Sequence, residues 1–359
     1  MKIAFDISQI IYGTGVSHYR ANLIKNLLDL DKENQYLLYG LSLRRSDELK
    51  KFTESLGSGA EVKIFPFPQR LLHLIWNKLH IFPLEKLIGK VDLIHTSDWL
   101  EPPSVFAKVT TVHDLAPLKF PRITPKAVVA VHKNKLSLVR TESEKVIVPS
   151  ECTKNDLIDF GVEEGSIVVI PEANNLTKTQ SSSVVDVQQK YKIFGKYLIA
   201  IGVGARKNTE KIIDAYKLSQ AGKDLKLVIV GGKPGIRLSQ TRGVRYLGYV
   251  NDNDLSALLT GAEALVFPSL YEGFGVPILD SFACETPVVT SNISSMPEVA
   301  GDAAILVDPT DTRSIAQGIE EALSKPKTLI AKGIKQLEKY SWKETAQKTL
   351  DVYKSVVNN

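Results

Sequence analysis

Only two cysteines, Cys152 and Cys284, occur in 359 residues. That excludes a disulfide framework and a cysteine-rich zinc site, and it fits a reducing compartment. No apolar run approaches the ~20 residues needed to cross a bilayer. The opening MKIAFDISQI enters a strand-like run without a basic n-region or a small-residue cleavage site, so no secretory signal is expected. A cytoplasmic protein follows as the expectation, with peripheral contact at the inner face of a membrane left open. Charge of one sign is also scarce. Forty-five basic against 40 acidic residues leave a formal +5, too little to argue for nucleic acid, and no nucleic-acid partner is expected.

What is present is ordinary for a folded domain: 43% hydrophobic and 24% charged residues, which excludes disorder and fibrous repeats. At ~150 residues per domain the length implies two domains, each large enough for its own core. The charge is uneven, since residues 62–145 carry 13 Lys/Arg and 7 Asp/Glu, a local +6. A solvated basic face is the plainer reading. The sharper one is a surface for an anionic partner, either phospholipid headgroups or a phosphorylated acceptor.

Short β-branched runs alternate with helix-length amphipathic stretches. Strands are expected at 2–8, 36–39, 61–65, 93–96, 109–113, 145–149 and 167–170, then at 197–202, 225–230, 244–249, 264–268, 287–291 and 304–307. Runs such as Leu227-Val-Ile-Val230 are continuous rather than alternating, as in parallel strands buried on both faces. Strand, helix, strand repeated twice over predicts an α/β protein of two doubly wound Rossmann-like domains facing a cleft. The Ser/Thr/Asn-rich stretch beyond Ile170 reads as linker. The expected division is 1–175, a linker at 176–190, a second domain at 191–340 and a C-terminal helix at 341–359. The capping box Ser341-Trp-Lys-Glu344 opens that helix, which is expected to cross back to the first domain.

Open α/β sheets bind ligands beyond the carboxyl ends of their strands. The most informative segment there is Phe267-Pro-Ser-Leu-Tyr-Glu-Gly-Phe-Gly-Val-Pro-Ile-Leu-Asp280. A buried strand ends, a loop carries Glu272, and a helix begins near Val276 with Pro277 in its first turn. Gly273, Phe274, Gly275 and Val276 would present backbone N–H groups at a helix N-terminus, which favours negative charge. Arg206-Lys207-Asn208 likewise follows the first strand of the second domain and precedes a helix, with Lys211 one turn later. Two cations at such a junction suit a diphosphate. In the first domain, Gly13-Thr-Gly15 follows the first strand and precedes a helix at 19–30. It lacks the full dinucleotide fingerprint, so nicotinamide binding is not supported. His113-Asp114 falls at the end of the fifth expected strand, with Asp114 placed to orient the ring.

From Tyr246 to Pro309 the chain resembles the C-terminal domain of the retaining glycosyltransferases of family 4, the group 1 glycosyltransferases, which have the GT-B architecture. The matching text is YLGYVNDNDL, ALVFPSLYEGFGVPILDSFACETPVVTSN and SSMPEVAGDAAILVDP, with GVGARKNTEKIIDAY upstream. Order and spacing extend the likeness through VHDLAPLKFP, VPSECTKNDL and YSWKETAQKTLDVYK. The resemblance implies a transferase moving a hexose, mannose-type or glucose-type, from a nucleotide diphosphate sugar to a glycan or lipid-linked acceptor hydroxyl. It implies a front-face mechanism with retained configuration, needing no cofactor beyond the nucleotide sugar as substrate.

By the same resemblance Glu272 holds donor-sugar hydroxyls, and Asp280 stands where the family's second acid grips the nucleotide ribose, one methylene short of the usual glutamate. Arg206 and Lys207 face the donor diphosphate, with Lys211 behind them. The loop of Gly13 and Gly15 lies by the donor phosphate and acceptor, and His113 near the donor sugar. Glu285 replaces a glycine common before the Thr-Pro pair, so its backbone is not expected to need a glycine-only conformation. The competing class is a nucleotide-sugar epimerase or a non-catalytic binding protein of the same architecture.

Two segments are set aside. Asp252-Asn-Asp254 resembles a metal-binding Asp-x-Asp, but it begins a helix, where such residues cap, and no metal is expected. Residues 70–86 carry Trp76 and Phe82 among leucines and basic side chains. A core-facing amphipathic helix is the preferred reading over one lying in a membrane interface.

Overall fold

The computed structural model describes residues 1–97, 99–232 and 241–357. Asp98, part of the basic 62–145 stretch, lies outside them. The chain forms two units, Met1–Glu172 with Ser341–Asn359, and Ala173–Tyr340.

The first unit holds β1 (Lys2–Asp6), β2 (Gln35–Leu41), β3 (Glu61–Phe65), β4 (Leu93–Ser97), β5 (Ala107–Thr111), β6 (Lys145–Val148) and β7 (Ile167–Val169). They form a parallel sheet in the order β3-β2-β1-β4-β5-β6-β7. The second unit holds β8 (Tyr197–Ile201), β9 (Lys226–Val230), β10 (Val244–Gly248), β11 (Ala264–Phe267), β12 (Val288–Ser291) and β13 (Ile305–Val307). Their parallel order is β10-β9-β8-β11-β12-β13. Each sheet reverses beside its first strand, the point at which doubly wound folds bind ligands.

The continuous apolar runs have their explanation in the packing. Tyr197, Ile199, Val228 and Val230 enter one core cluster, while Leu198, Ala200, Leu227 and Ile229 enter another on the opposite face. Helices cover both faces, so these strands read as continuous apolar runs. In the first unit Ile3, Phe5 and Leu38 likewise oppose Ala4, Leu37 and Tyr39.

The C-terminal helix Trp342–Val357 belongs to the first unit, where Ala346, Leu350 and Tyr353 share a core with Tyr19 and Leu23. Its start is capped as expected, with Glu344 N–H donating to Ser341 Oγ at 3.1 Å. The buried Tyr353 hydroxyl lies 2.5 Å from His95 Nδ1 in β4, fixing the helix to the sheet.

Three local readings change. The segment expected as linker contains a helix, Ser181–Lys190, docked on the second unit. Thr179 Oγ1 to Ser256 Oγ, 2.7 Å, ties the chain down just before it. The helix expected from 19 starts at Gly15, because Thr14 and Ser17 form a reciprocal capping box that begins it four residues earlier. Residues 70–86 are not one helix: Gln69–Leu72 is followed by a π-helical turn His73–Lys78, and His80 and Phe82 take left-handed φ values. Leu72 and Trp76 enter the core as expected, but Leu71, Leu74, Leu79, Ile81 and Phe82 are exposed. Among the described residues no helix is long and apolar enough to cross a membrane.

Candidate active site

The site in the second unit is assembled from two loops at the carboxyl ends of β8 and β11. Gly202 ends β8 with φ +90°, and a Cβ there would come within 2.9 Å of Lys207 Cγ. Only glycine both adopts that backbone and leaves room for the lysine stem. Asn208 turns the loop into the helix Thr209–Leu218 with φ +61°. Its buried amide donates to the carbonyls of Pro268 (3.1 Å) and Pro309 (2.7 Å). Leu270 N–H donates to the Arg206 carbonyl at 2.9 Å, so the two loops are tied together by backbone as well.

Between them Glu272 is gripped from two sides. Arg206 Nη1 lies 2.9 Å from Glu272 Oε2 and 2.7 Å from the Tyr271 carbonyl, while Lys207 Nζ lies 2.6 Å from Glu272 Oε1. The ammonium of Lys207 also sits 4.9 Å from the centre of the Phe267 ring, a cation–π contact. Glu272 is 8% exposed. Burial alone would push its carboxyl up, but Lys207 and Arg206 outweigh that and hold it below the usual carboxylate range. Two cations thus meet one carboxylate at a strand end. Ser294 and Ser295 hydroxyls donate to the Glu272 carbonyl (2.8 and 2.9 Å), and Ser295 also to that of Phe274 (2.6 Å). The pair opens the stretch SSMPEVAGDAAILVDP, but the sequence assigns it no role.

The neighbouring residues fall into place around this cluster. Gly275 caps the helix Val276–Ala283 with φ +111°, a conformation side chains rarely adopt, and Pro277 sits in its first turn. Gly273 lies between Glu272 and that cap. The Phe274 ring is in the core against Tyr340, so a ligand could meet only its backbone. Asp280 is buried on the same helix, and its Oδ1 accepts from the N–H groups of Asn175 (2.7 Å) and Leu176 (3.0 Å). The carboxylate expected at the ribose thus also anchors the start of the linker. Lys211 faces Asp308, whose carboxyl lies below the usual range because of hydrogen bonds from Thr310 with a smaller contribution from Lys211.

Glu285 has φ +57°, left-handed but not glycine-only, which accounts for glycine being common there. Its carboxylate pairs with Lys178 at 2.6 Å. The Asp-x-Asp decoy resolves as a helix start: Asn251 is the cap, and Asp254 accepts from Lys190 Nζ and the Tyr191 hydroxyl, each at 2.6 Å. Among the described residues no three His, Cys, Asp or Glu side chains group to hold a metal ion.

The first unit has its own constellation. Gly13 has φ +61°, and Gly15 opens the helix Gly15–Leu30. Tyr19 on that helix packs edge-on against His113, ring centroids 4.5 Å apart. β5 stops at Thr111, so His113 stands two residues past the strand rather than on it. The carboxylate on its ring is Glu172, with Nδ1 3.0 Å from Oε1 and Glu172 only 6% exposed. Asp114, also expected to orient the ring, accepts the Ala116 N–H at 2.8 Å, forming a turn. Glu172 lies 59 residues from His113, beyond any local motif.

Comparison with known proteins bears on the family. The family described as glycosyl transferases group 1 matches residues 187–341, and glycosyltransferase family 4 matches residues 14–177. O-antigen chain mannosyltransferase B of Escherichia coli is 29% identical over 99% of this chain and 100% of its own length. O-antigen chain mannosyltransferase RfbU of Salmonella typhimurium is 29% identical over 58% of this chain and 59% of its own. Among solved structures, Anabaena HepE in complex with UDP and glucose superposes with a TM-score of 0.72 at 17% identity, covering 99% of this chain and 100% of that one. Two Rossmann-like units, each matched by its own half of the family pair, show that the chain belongs to the group 1 (family 4) glycosyltransferases.

Proposed function

We propose that the protein transfers a mannosyl residue from a nucleoside diphosphate sugar to a hydroxyl of a glycan acceptor in the assembly of a surface polysaccharide. Retained anomeric configuration and metal-free chemistry are part of the reading. The mannosyl choice rests on the names of the relatives, both O-antigen chain mannosyltransferases. The observation that carries the chemistry is the Arg206–Glu272–Lys207 cluster, in which two cations are already assembled at 2.9 and 2.6 Å from one buried carboxylate.

In this reading the bond from the anomeric carbon to the diphosphate oxygen breaks, and its electron pair leaves with the phosphate. Arg206, Lys207 and the backbone N–H groups at Gly273–Val276 meet that growing charge, with no reorganisation required at the moment of reaction. Glu272 accepts from sugar hydroxyls with the oxygen capacity its two cations leave, and Asp280 addresses the ribose. The acceptor oxygen approaches the same face, bonds to the anomeric carbon and passes its proton to the departing phosphate oxygen. His113, held by Glu172, is the first unit's candidate for the sugar, and the loop of Gly13 and Gly15 its candidate for the phosphate and acceptor.

The test is incubation with GDP-mannose, UDP-glucose and ADP-glucose in turn, each with a short mannose oligosaccharide, in excess EDTA, followed by NMR of the product. The expected product is an α-mannoside formed at an unchanged rate under chelation. Loss of activity with EDTA and its recovery with manganese would overturn the metal-free part. A β-mannoside would overturn retention, and glucose as the better donor the mannosyl assignment.

A further inference from the structure

A line of hydrogen bonds runs through the core of the first unit and ends at the ring that packs on His113. The Tyr353 hydroxyl, on the C-terminal helix, lies 2.5 Å from His95 Nδ1 in β4. His95 Nε2 lies 2.8 Å from Thr111 Oγ1 at the end of β5, and Thr111 Oγ1 lies 3.3 Å from the Tyr19 hydroxyl. Tyr19 then meets the His113 ring edge-on, at an interplanar angle of 84°. Tyr353, His95, Thr111 and Tyr19 are each at most 1% exposed, so the whole line is sealed from water. Phe5 packs edge-on against His95, ring centroids 4.9 Å apart, and keeps that ring in place.

The partners fix where the protons sit. Burial, with the nearby cations Arg20 and Lys135, holds the His95 imidazole well below its usual range, so the ring is neutral with one donor and one acceptor. Among the described residues the Tyr353 hydroxyl has no acceptor but His95, so it donates to Nδ1, and Nε2 carries the hydrogen that goes to Thr111. Thr111 in turn donates to Tyr19. Every link then has one donor and one acceptor, and a satisfied buried polar chain contributes orientation where apolar side chains would contribute only packing. At His113 that orientation is needed. A single hydrogen bond leaves a ring able to swing about it, and Glu172 grips only the Nδ1 end, at 3.0 Å. The Tyr19 ring limits the swing, and the tether on its hydroxyl keeps it there.

We propose that His95 is a positioning residue, which through Thr111 and Tyr19 holds the His113 ring in its orientation. The consequence for turnover rests on the reading of His113 given above as the first unit's group for the donor sugar. Glu172 sets one end of that ring and the buried chain sets its tilt, so the C-terminal helix, through Tyr353, contributes to the placement of a side chain it does not touch.

The test reads the ring and the rate separately. The full chain is prepared with histidine isotopically labelled at Cε1, and the His113 NMR signal is identified as the one lost in His113→Ala. In His95→Leu and in Thr111→Val that signal is expected to move or broaden. Thr111→Val keeps the shape of the side chain, so it decides the matter if His95→Leu does not fold. His95→Gln offers an acceptor and a donor at similar spacing, and should return the signal close to its parent position. In kinetics, His95→Leu and Thr111→Val should each lower kcat about fivefold with donor KM within about twofold, because tilt costs rate rather than affinity. His95→Gln should regain most of that loss. In a His113→Ala background the same changes should cost less than about twofold, since the group they position is gone. An unmoved His113 signal in both variants overturns the proposal. So does an undiminished loss of kcat in the His113→Ala background, which would belong to a general loosening of the core. A moved signal with kcat unchanged upholds the chain and strikes the placement of His113 at the sugar instead. If no donor supports transfer, the signal alone still decides the chain, and it is the mannosyl reading that falls.

Discussion

The two units solve the same problem, holding a chargeable side chain beyond a strand end, by different means. In the second unit Arg206, Lys207 and Glu272 come from two loops, and each loop is a compact stretch of sequence with its glycine, cap and charge in order. In the first unit His113 is held by Glu172, 59 residues away, and by the Tyr19 ring from the helix after β1. The first arrangement is a charged cluster with a net cation, suited to binding an anion and stabilising its growth. The second is a ring oriented by a buried acid, suited to precise placement. Binding charge can be written in short local strings, whereas orientation needs partners from distant strands.

That contrast can be broken most severely at Arg206. Its charge should matter more in the transition state than in the ground state, so Arg206→Ala is expected to lower kcat on the order of 10²–10³-fold while donor affinity falls less. Arg206→Lys should recover only part, since lysine keeps the charge and loses the fork. Steady-state kinetics paired with donor titration reads both; turnover within a few-fold of the parent would make the cluster a structural ion pair.

Glu272→Gln comes next. Removing the carboxylate leaves two cations facing each other, at a cost of about 2 kcal/mol, below the 3–5 kcal/mol of a fully buried pair. The discount follows from the side-chain exposure of Arg206 and Lys207, 27% and 20%. Because the folded state depresses this carboxyl, its stabilisation is complete above the usual value of about 4.3 and is lost as the pH falls through the lower folded value. Melting curves of parent and variant from pH 8 to 3 should run parallel above about pH 4.3 and converge below it. A gap that stayed constant down to pH 3 would contradict the ion-pair account.

For the first unit, Glu172→Gln is expected to lower kcat roughly tenfold with donor binding unchanged, because misplacing a group beside the reacting centre costs rate rather than affinity. His113→Ala should then be little worsened by adding Glu172→Gln, and additive losses in the double mutant would separate the two residues. The smallest effect is expected at Glu285. Glu285→Gly relieves a left-handed backbone at the loss of an exposed ion pair worth little. The net stabilisation should be about 0.5 kcal/mol, read as a small rise in denaturation midpoint; a clear fall would mean that the Lys178 pair carries more than its exposure suggests.

All thirteen expected strands lie where the apolar runs put them, with ends differing by two residues at most. The clearest strand-end shift is at β5, which closes before His113 because Val112 continues the backbone ladder alone, donating its N–H to the Ile147 carbonyl. The failures of reading share a feature. Ser181–Lys190 looked like linker because its helix is stabilised by docking, with none of its residues buried. Residues 70–86 looked like a single helix because periodicity cannot see the π-turn or the left-handed His80 and Phe82.

The sequence by itself determined the two-sheet plan, the strand positions, the cap at Ser341, the first-turn Pro277, and the charged strings at 206–207 and 267–280. Each of these depends on neighbours within a few residues, through period, propensity and turn chemistry. Only the tertiary structure decided that Glu272 would sit between both cations, that Glu172 would meet His113, and that Asp280 would anchor Asn175 and Leu176. It also decided that Tyr353, His95, Thr111 and Tyr19 would meet in one chain of hydrogen bonds. A side chain's charge is written in the chain, but its partner is chosen by which strand ends the sheet order brings side by side.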